Sequence, residues 1–363
     1  MAKRILIDLE RLRYPNSGLA NVFRNIAKGI EEHTHSDVQV RYFGPQEELS
    51  KTVPSAKIIA YKKWHKFFEC FSHKFNLIHI SYQHSWYFTK KYKHSIKVLT
   101  LHDLNFLHEN LSSSKKKKLL NRINKSFETA DYIVCISEFV RQDLLKNKHL
   151  FNFKRLKDIV VIYNGIELPE SRNYLLGRYD FLRSKKYILN IGVFLDKKNQ
   201  KSLIEMLPYL DEDLVLITSE EKEPYASALK QRITELNLQN RVHIFRNVSE
   251  EEKYALIQHC QAMCHPSIAE GFGIPPIEAM AFGKPVFLSK KTSLPEIGGE
   301  VAFYFENFNP VEMATLLKEK MVFYQANQSE LETKIKKWAS QFDYKVMAHK
   351  YLELYMNVLA DKQ

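Results

Sequence analysis

Glu270 and Glu278 are two carboxylates that flank the loop Gly271-Phe272-Gly273. Pro275 and Pro276 follow, and proline suits a first helical turn because its missing N–H has no intrahelical partner there. Glycines just before a helix let the backbone approach a ligand closely and present amides at the positive helix end, which suits a phosphate. Carboxylates repel a phosphate and need another task. A ligand with hydroxyls as well as phosphates, such as a nucleotide sugar, supplies one. In isolation a Gly-x-Gly beside glutamates is equally a solvated helix start. The surroundings argue otherwise: the chain has only 11 glycines in 363 residues, yet Gly271, Gly273, Gly283, Gly298 and Gly299 all fall within 265–299.

Further residues with chemistry to offer stand just after apolar runs. His102-Asp103 follows the run Lys97–Thr100, which places an imidazole at a sheet edge. There it can donate to a hydroxyl or stabilise developing charge, with Asp103 available to hold its tautomer. Lys198 and Asn199 open a helix after Tyr187–Ile191, and a lysine so placed is a point charge for a diphosphate. Ser17-Gly18 lies between the first strand and first helix, and Arg246 follows the run Val242–Phe245. Ser137 precedes a helix whose first turn carries Glu138, which reads as an N-cap and equally as a ligand contact.

These positions require a scaffold of alternating strands and helices, hence parallel sheets covered by helices. Strands are expected at Arg4–Asp8, Val38–Phe43, Leu77–Ile80, Lys97–Thr100, Tyr132–Ile136 and Ile159–Tyr163, then at Tyr187–Ile191, Leu214–Thr218, Val242–Phe245, Ala262–His265 and Val286–Leu288. A chain of 363 residues exceeds one ordinary core. The expected division is a first domain over 1–168, a linker over 169–186, a second domain over 187–340 and a terminal helix over 341–363. Ligands in such sheets bind at the carboxyl ends of strands. The tail is apolar at i, i+3, i+4 spacing, as a long packed helix requires.

Composition narrows the setting. No apolar run approaches the ~18 residues of a spanning helix, and MAKRILIDLE opens as a strand rather than a signal peptide. Cys70, Cys135, Cys260 and Cys264 form no paired framework, so a reducing cytoplasm is expected. Residues 1–165 hold 29 Lys and Arg against 15 Asp and Glu, whereas 166–363 hold 25 against 27. All the excess positive charge therefore lies in the first half. Its two basic surfaces are Tyr61–Lys74, which includes Trp64, and the helix-compatible run Lys115–Lys125, which begins Lys115-Lys116-Lys117-Lys118. Such runs serve as solvated faces or as docking surfaces for an anionic membrane.

The block His265-Pro266-Ser267, Glu270-Gly271-Phe272-Gly273, Pro276, Glu278-Ala279, Ala281, Gly283, Pro285 and Leu294-Pro295-Glu296 resembles the Glu-x7-Glu signature of glycosyltransferase family 4. The segments around His102-Asp103, Tyr132–Leu145, 161–167 and Asn190–Gln200 are similar to family segments as well. The resemblance implies an α/β GT-B fold: two doubly wound Rossmann-like domains facing across a cleft, with the C-terminal helix crossing back to the first. It implies retaining transfer of a hexosyl group from a nucleoside-diphosphate sugar to a hydroxyl of a glycan or lipid-linked glycan in surface-polysaccharide biosynthesis. GDP-mannose is the first donor to consider.

By the same resemblance His102, Lys198 and Glu270 are catalytic, with His102 beside the transferred sugar, Glu270 on sugar hydroxyls and Lys198 on the leaving diphosphate. Gly18, Asn199, Arg246, Gly271, Phe272, Gly273, Ile274 and Glu278 bind the donor, with Glu278 on the ribose. No metal and no cofactor beyond the nucleotide-sugar co-substrate is expected. The implied partners are the donor, the acceptor and an anionic membrane met through Lys115, Lys116, Lys117, Lys118 and the Trp64 region, without nucleic acid; the implied location is cytoplasmic or peripheral on the inner membrane face. The chain departs from the pattern at Gly18, a single glycine where a pair is usual. It departs also at Val193, where some relatives have arginine, and at Lys197, where arginine is common. A GT-B sugar-nucleotide epimerase would use the same residues without an acceptor, and a phosphorylase of this fold would require inorganic phosphate. A basic nucleic-acid-binding protein would account for the charge but leave the two glutamates without a purpose.

Overall fold

A computed structural model describes residues 2–15, 18–34, 38–67, 74–89, 94–109 and 111–360. They form two compact units, Met1–Glu167 with Phe342–Gln363, and Leu168–Gln341.

The first unit contains β1 (Lys3–Asp8), β2 (Val38–Gly44), β3 (Lys57–Ala60), β4 (Leu77–Ile80), β5 (Ile96–Leu101), β6 (Tyr132–Cys135) and β7 (Asp158–Val161). They pair in the order β3-β2-β1-β4-β5-β6-β7, each pair parallel. The second unit contains β8 (Tyr187–Ile191), β9 (Asp213–Ile217), β10 (Val242–Phe245), β11 (Ala262–His265), β12 (Val286–Ser289) and β13 (Phe303–Phe305). They pair in the order β10-β9-β8-β11-β12-β13, again parallel throughout. Parallel sheets must be covered on both faces, and the central strands β4, β5, β6, β9, β11 and β12 are accordingly buried along their whole length.

Both sheets are doubly wound, as the alternation of strand and helix predicts. In each, strand order reverses once: between β1 and β4 in the first unit and between β8 and β11 in the second. Two strands escape the sequence pattern, β3 and β13. Both are sheet edges of four and three residues, with one neighbour each and partly exposed side chains. Edge strands need neither an apolar run nor strict alternation. Residues 169–186 belong to the second unit; they carry a short helical turn over Gly177–Leu182 and bury Tyr174 and Tyr179.

The C-terminal helix Tyr344–Ala360 buries Tyr344, Met347, Ala348, Tyr351, Leu352, Tyr355, Val358 and Leu359, the one stripe its spacing predicts. It packs on the first unit's helix Gly18–His33. Backbones approach closely here: a Cβ on Gly29 would lie 2.6 Å from Cβ of Ala348, and one on Gly165 would lie 2.4 Å from Cα of Tyr344. A buried polar chain ties the same helix to the sheet. Tyr355 OH meets His79 Nδ1 at 2.6 Å, His79 Nε2 meets Thr100 Oγ1 at 2.8 Å, and Thr100 Oγ1 meets Tyr351 OH at 2.9 Å. Burial pushes His79 down to about 3, so its ring is neutral, with one donor and one acceptor, as a single directional chain requires.

Candidate active site

In the second unit the loops leaving β8 and β11 start on either side of the strand-order reversal, where doubly wound sheets bind ligands. The β8 loop supplies Lys198 and the β11 loop supplies Glu270. Glu270 is buried, and its Oε1 accepts from three groups: Lys198 Nζ in a short ion pair, His265 Nε2 at 2.7 Å and Ser267 Oγ at 2.8 Å. Burial alone would raise its pKa, but the Lys198 charge and the His265 bond override it and hold the carboxyl well below the usual range. Glu270 is thus a fixed anion. All three bonds converge on one oxygen, leaving Oε2 to accept from something else.

The backbone around this carboxylate is held from a third loop. Glu270 N donates to Thr292 Oγ1 at 3.0 Å, and Ser293 Oγ donates to the Phe272 carbonyl at 2.8 Å. Gly273 caps the helix Ile274–Ala281 at φ 112°, a left-handed conformation that glycine adopts without strain. Asn199 is also left-handed, at φ 54°, and its Nδ2 donates to the Pro266 carbonyl at 3.3 Å, tying the β8 loop to the β11 loop. Glu278, on the buried face of Ile274–Ala281, binds Lys253 Nζ at 2.6 Å. Burial raises its pKa and Lys253 opposes that rise.

The first unit places His102 directly after β5 and almost fully buried. Its Nε2 lies 2.8 Å from the Ser81 carbonyl, so Nε2 carries the proton and donates. Nδ1 has no partner and presents a lone pair. Burial pushes the pKa down to about 4 although the Ser81 bond opposes this, so the ring is neutral at pH 7. The sequence suggested Asp103 as the group that fixes the tautomer. The Ser81 carbonyl does so instead, while Asp103 Oδ1 accepts from Asn105 N at 3.0 Å and shapes the following turn.

Lys198, Asn199, Glu270 and the loop 271–274 therefore come together around the second unit's switch point. Arg246 does not join them; it is largely exposed, 3.6 Å from Glu221. Gly18 starts the helix Gly18–His33 with open space where a Cβ would stand, and Ser17 lies outside the described residues. Ser137 caps its helix, accepting from Val140 N at 3.1 Å. Among the described residues no group of three or more His, Cys, Asp or Glu is placed to hold a metal ion. Cys135, Cys260 and Cys264 are free and buried; Cys70 lies outside the described residues.

Comparison with known proteins covers both units. Residues 17–170 match Glycosyltransferase Family 4, and residues 178–341 match Glycosyl transferases group 1. The chain is a GT-B-fold relative of these two glycosyltransferase families. O-antigen chain mannosyltransferase RfbU of Salmonella typhimurium is 29% identical over 196 residues, which are 53% of this chain and 52% of that protein. O-antigen chain mannosyltransferase B of Escherichia coli is 26% identical over 214 residues, 56% of this chain and 55% of that protein. The matched region spans about half the length of these curated relatives. Among solved structures, Anabaena Alr3699/HepE in complex with UDP and glucose superposes with a TM-score of 0.74 at 19% identity, covering 98% of this chain and 100% of that one.

Reading the sequence alone misses four contributors to these GT-B loops. His265 and Ser267 are visible as part of the family block, but nothing in their types announces that both donate to Glu270. Lys253 carries no signal at all, since it reaches Glu278 from the separate helix Glu250–His259. Ser81 acts only through its carbonyl.

Proposed function

We propose that the chain is a retaining glycosyltransferase that moves a hexosyl group from a nucleoside-diphosphate sugar to a hydroxyl of a glycan or lipid-linked glycan in surface-polysaccharide biosynthesis. Glu270 carries this reading: a buried, ionised carboxylate with one oxygen saturated and the other available, at the switch point of a doubly wound sheet. Oε2 accepts a sugar hydroxyl. Lys198 has further N–H groups to offer the leaving diphosphate. Pro275 and Pro276 have no N–H, so phosphate binding at the head of Ile274–Ala281 rests on the amides of Gly273 and Ile274 with the helix dipole. Glu278 receives the ribose and is paired with Lys253.

The transition state is oxocarbenium-like, with negative charge growing on the diphosphate, and preorganised donors aimed there lower the barrier. Same-face attack by the acceptor needs no carboxylate nucleophile, and Glu270, fixed by three donors, is unsuited to that role. Neutral His102 accepts a hydroxyl proton in a hydrogen bond at Nδ1 and serves the sugar or the acceptor. Mannosyl transfer is supported by the names of the sequence relatives, and the Anabaena structure holds UDP and glucose. The donor is therefore chosen by experiment: a thermal-shift screen against GDP, UDP and ADP and their sugars, followed by turnover with the stabilising donor. A shift with none of them overturns the reading, and conversion of the donor to an epimer without an acceptor favours the epimerase.

The enzyme meets its membrane through the first unit, where Lys115, Lys117 and Lys118 are exposed on the helix Ser113–Phe127 and Trp64 and Phe67 are exposed nearby in sequence to residues 68–73, which lie outside the described set. No described helix is long and apolar enough to cross a membrane. Co-sedimentation with anionic vesicles at low salt, weakened by neutralising Lys115–Lys118, is the expected result, and no binding at low salt removes the idea.

A further inference from the structure

The first unit's own switch point, between β1 and β4, holds an arrangement that the reaction above leaves unused. The turn after β1 carries Arg11 and Arg13, and the loop after β4 carries Tyr82, His84 and Trp86. Arg11 stacks between two rings, with its guanidinium carbon 4.7 Å from the centre of Tyr14 and 4.6 Å from that of Tyr82. Arg13 lies over the same Tyr14 ring at 4.8 Å and pairs with Glu10 at 2.5 Å. Arg122, from the basic helix Ser113–Phe127, stacks on Trp86 at 4.1 Å. Among the described residues neither Arg11 nor Arg122 has a carboxylate partner.

Three features mark this as a place prepared for an anion. First, the guanidiniums are crowded and partly withdrawn from water. Burial lowers the pKa of Arg122, with Arg11 and Arg13 adding to the effect, and burial together with Arg122 and Arg11 pushes His84 down to about 4. Second, orphaned donors gather here: Nε of Arg13 and Nε of Arg122 are buried and have no hydrogen-bond partner. Buried polar groups left open in a native fold call for an explanation. Third, a cavity of about 620 Å³ opens beside Trp86 and Arg122 and is lined further by Lys115, Lys118, Leu119 and Lys125. Lysines in the first turns of a helix oppose its dipole, so helix stability does not account for Lys115 to Lys118.

We infer that Arg11 and Arg122 form a phosphate subsite, with Tyr82 and Trp86 as stacking faces, that binds the phosphate or diphosphate carried by the acceptor glycan. The inference rests on the transferase reading for the word acceptor, but the binding itself belongs to the first unit alone. A guanidinium resting over a ring leaves edge N–H groups to bind elsewhere, and arginine forks match the oxygens of a phosphate bidentately. Exposed aromatic faces such as Trp86 and Tyr14 suit the apolar face of a sugar ring. The acidic groups nearby do not cancel the charge. Glu10 pairs with Arg13 and also acts electrostatically on Arg11 and Arg122, so one carboxylate is shared among three guanidiniums, and burial with Glu10 pushes Asp8 up to about 7.

The test is calorimetric titration of the full chain with inorganic pyrophosphate at low salt, with a saturating nucleoside diphosphate present to occupy the second unit. Pyrophosphate should still bind, and at least tenfold weaker in Arg11→Gln/Arg122→Gln. The same double variant should keep its thermal shift with the nucleoside diphosphate, which shows that it folds and that the donor reading stands or falls separately. Repeating the titration with geranyl diphosphate separates the two sources of the phosphate. Binding severalfold tighter than pyrophosphate indicates a lipid-linked acceptor, and equal binding indicates a phosphorylated glycan; both support the subsite. Equal pyrophosphate affinity in wild type and double variant overturns it. So does complete competition by the nucleoside diphosphate, or a loss confined to binding of anionic vesicles.

Discussion

The two units solve the same topological problem with opposite electrostatics. Each is a doubly wound sheet whose order reverses once, and each gathers polar side chains in the loops at that reversal. In the second unit the charges are already matched, Lys198 with Glu270 and Lys253 with Glu278. In the first unit His79 and His102 are neutralised by burial, while Arg11 and Arg122 make no ion pair among the described residues and share the single charge of Glu10 with Arg13. A ligand entering the second unit exchanges one partner for another in a prearranged set. One entering the first supplies a charge that the fold lacks.

The sharpest way to break this contrast is to remove one partner of the matched set. Glu270→Ala and Lys198→Ala should each lower turnover at least tenfold while circular dichroism remains that of the folded chain, since loss of one oriented charge at a site of developing charge costs about that much or more. Near-normal turnover in both would make the Lys198–Glu270 pair merely structural. Lys253→Ala should have the next largest effect. It leaves Glu278 buried without its cation, so its pKa rises further and nucleotide binding, read as KM for the donor, weakens severalfold with less change in kcat. A kcat loss as large as that of Lys198→Ala would place Lys253 with the reacting groups instead.

The pH response sharpens the first unit's half of the contrast. Asp8 is raised to about 7 by burial and by Glu10, so the folded chain holds a proton there that the unfolded chain has lost. Its contribution to stability is therefore greatest below about 4 and is lost as pH rises towards 7. His102, depressed to about 4 by burial, runs the other way: its contribution is present above about 6.5 and is lost as pH falls towards 4. Asp8→Asn should flatten the first of these slopes, raising Tm relative to wild type at pH 8 more than at pH 5. An equal difference at both values would mean that Asp8 is ionised throughout. The smallest expected effect is that of Tyr355→Phe. It removes the hydrogen bond to His79 at about 1 kcal/mol, visible as a few degrees of Tm, and should leave donor binding untouched.

Much of the scaffold was legible from residue order because parallel strands buried on both faces leave long apolar runs, and eleven of the thirteen strands announce themselves so. The two that do not, β3 and β13, are edges with a single neighbour. The terminal helix is legible from Tyr344 to Leu359 because its contacts lie on a single stripe. Site residues divide along the same line. Glu270, Lys198 and Asn199 sit in loops whose place follows from the strands before them, and so are located by counting along the chain. Lys253 meets Glu278 across 25 residues and a separate helix, and Ser81 serves through a backbone atom; neither is encoded as a motif. Arg246 shows the converse, a residue that matches in sequence position yet faces Glu221.

The return of Tyr344–Ala360 to the first unit also orders events during synthesis. The second unit is one uninterrupted stretch, Leu168–Gln341, whereas the first is completed only when its last helix is made. Domains generally fold as units as the chain emerges. Here the seven strands of the first sheet are made before the second unit, yet His79 and Thr100 lack Tyr355 and Tyr351 until the residues after 341 are made. The earlier-made half is thus the one finished last, and a nascent chain stalled anywhere between β8 and residue 341 carries a completed sheet with an uncapped hydrogen-bond chain at its centre. Chaperone dependence is expected to concentrate on that interval.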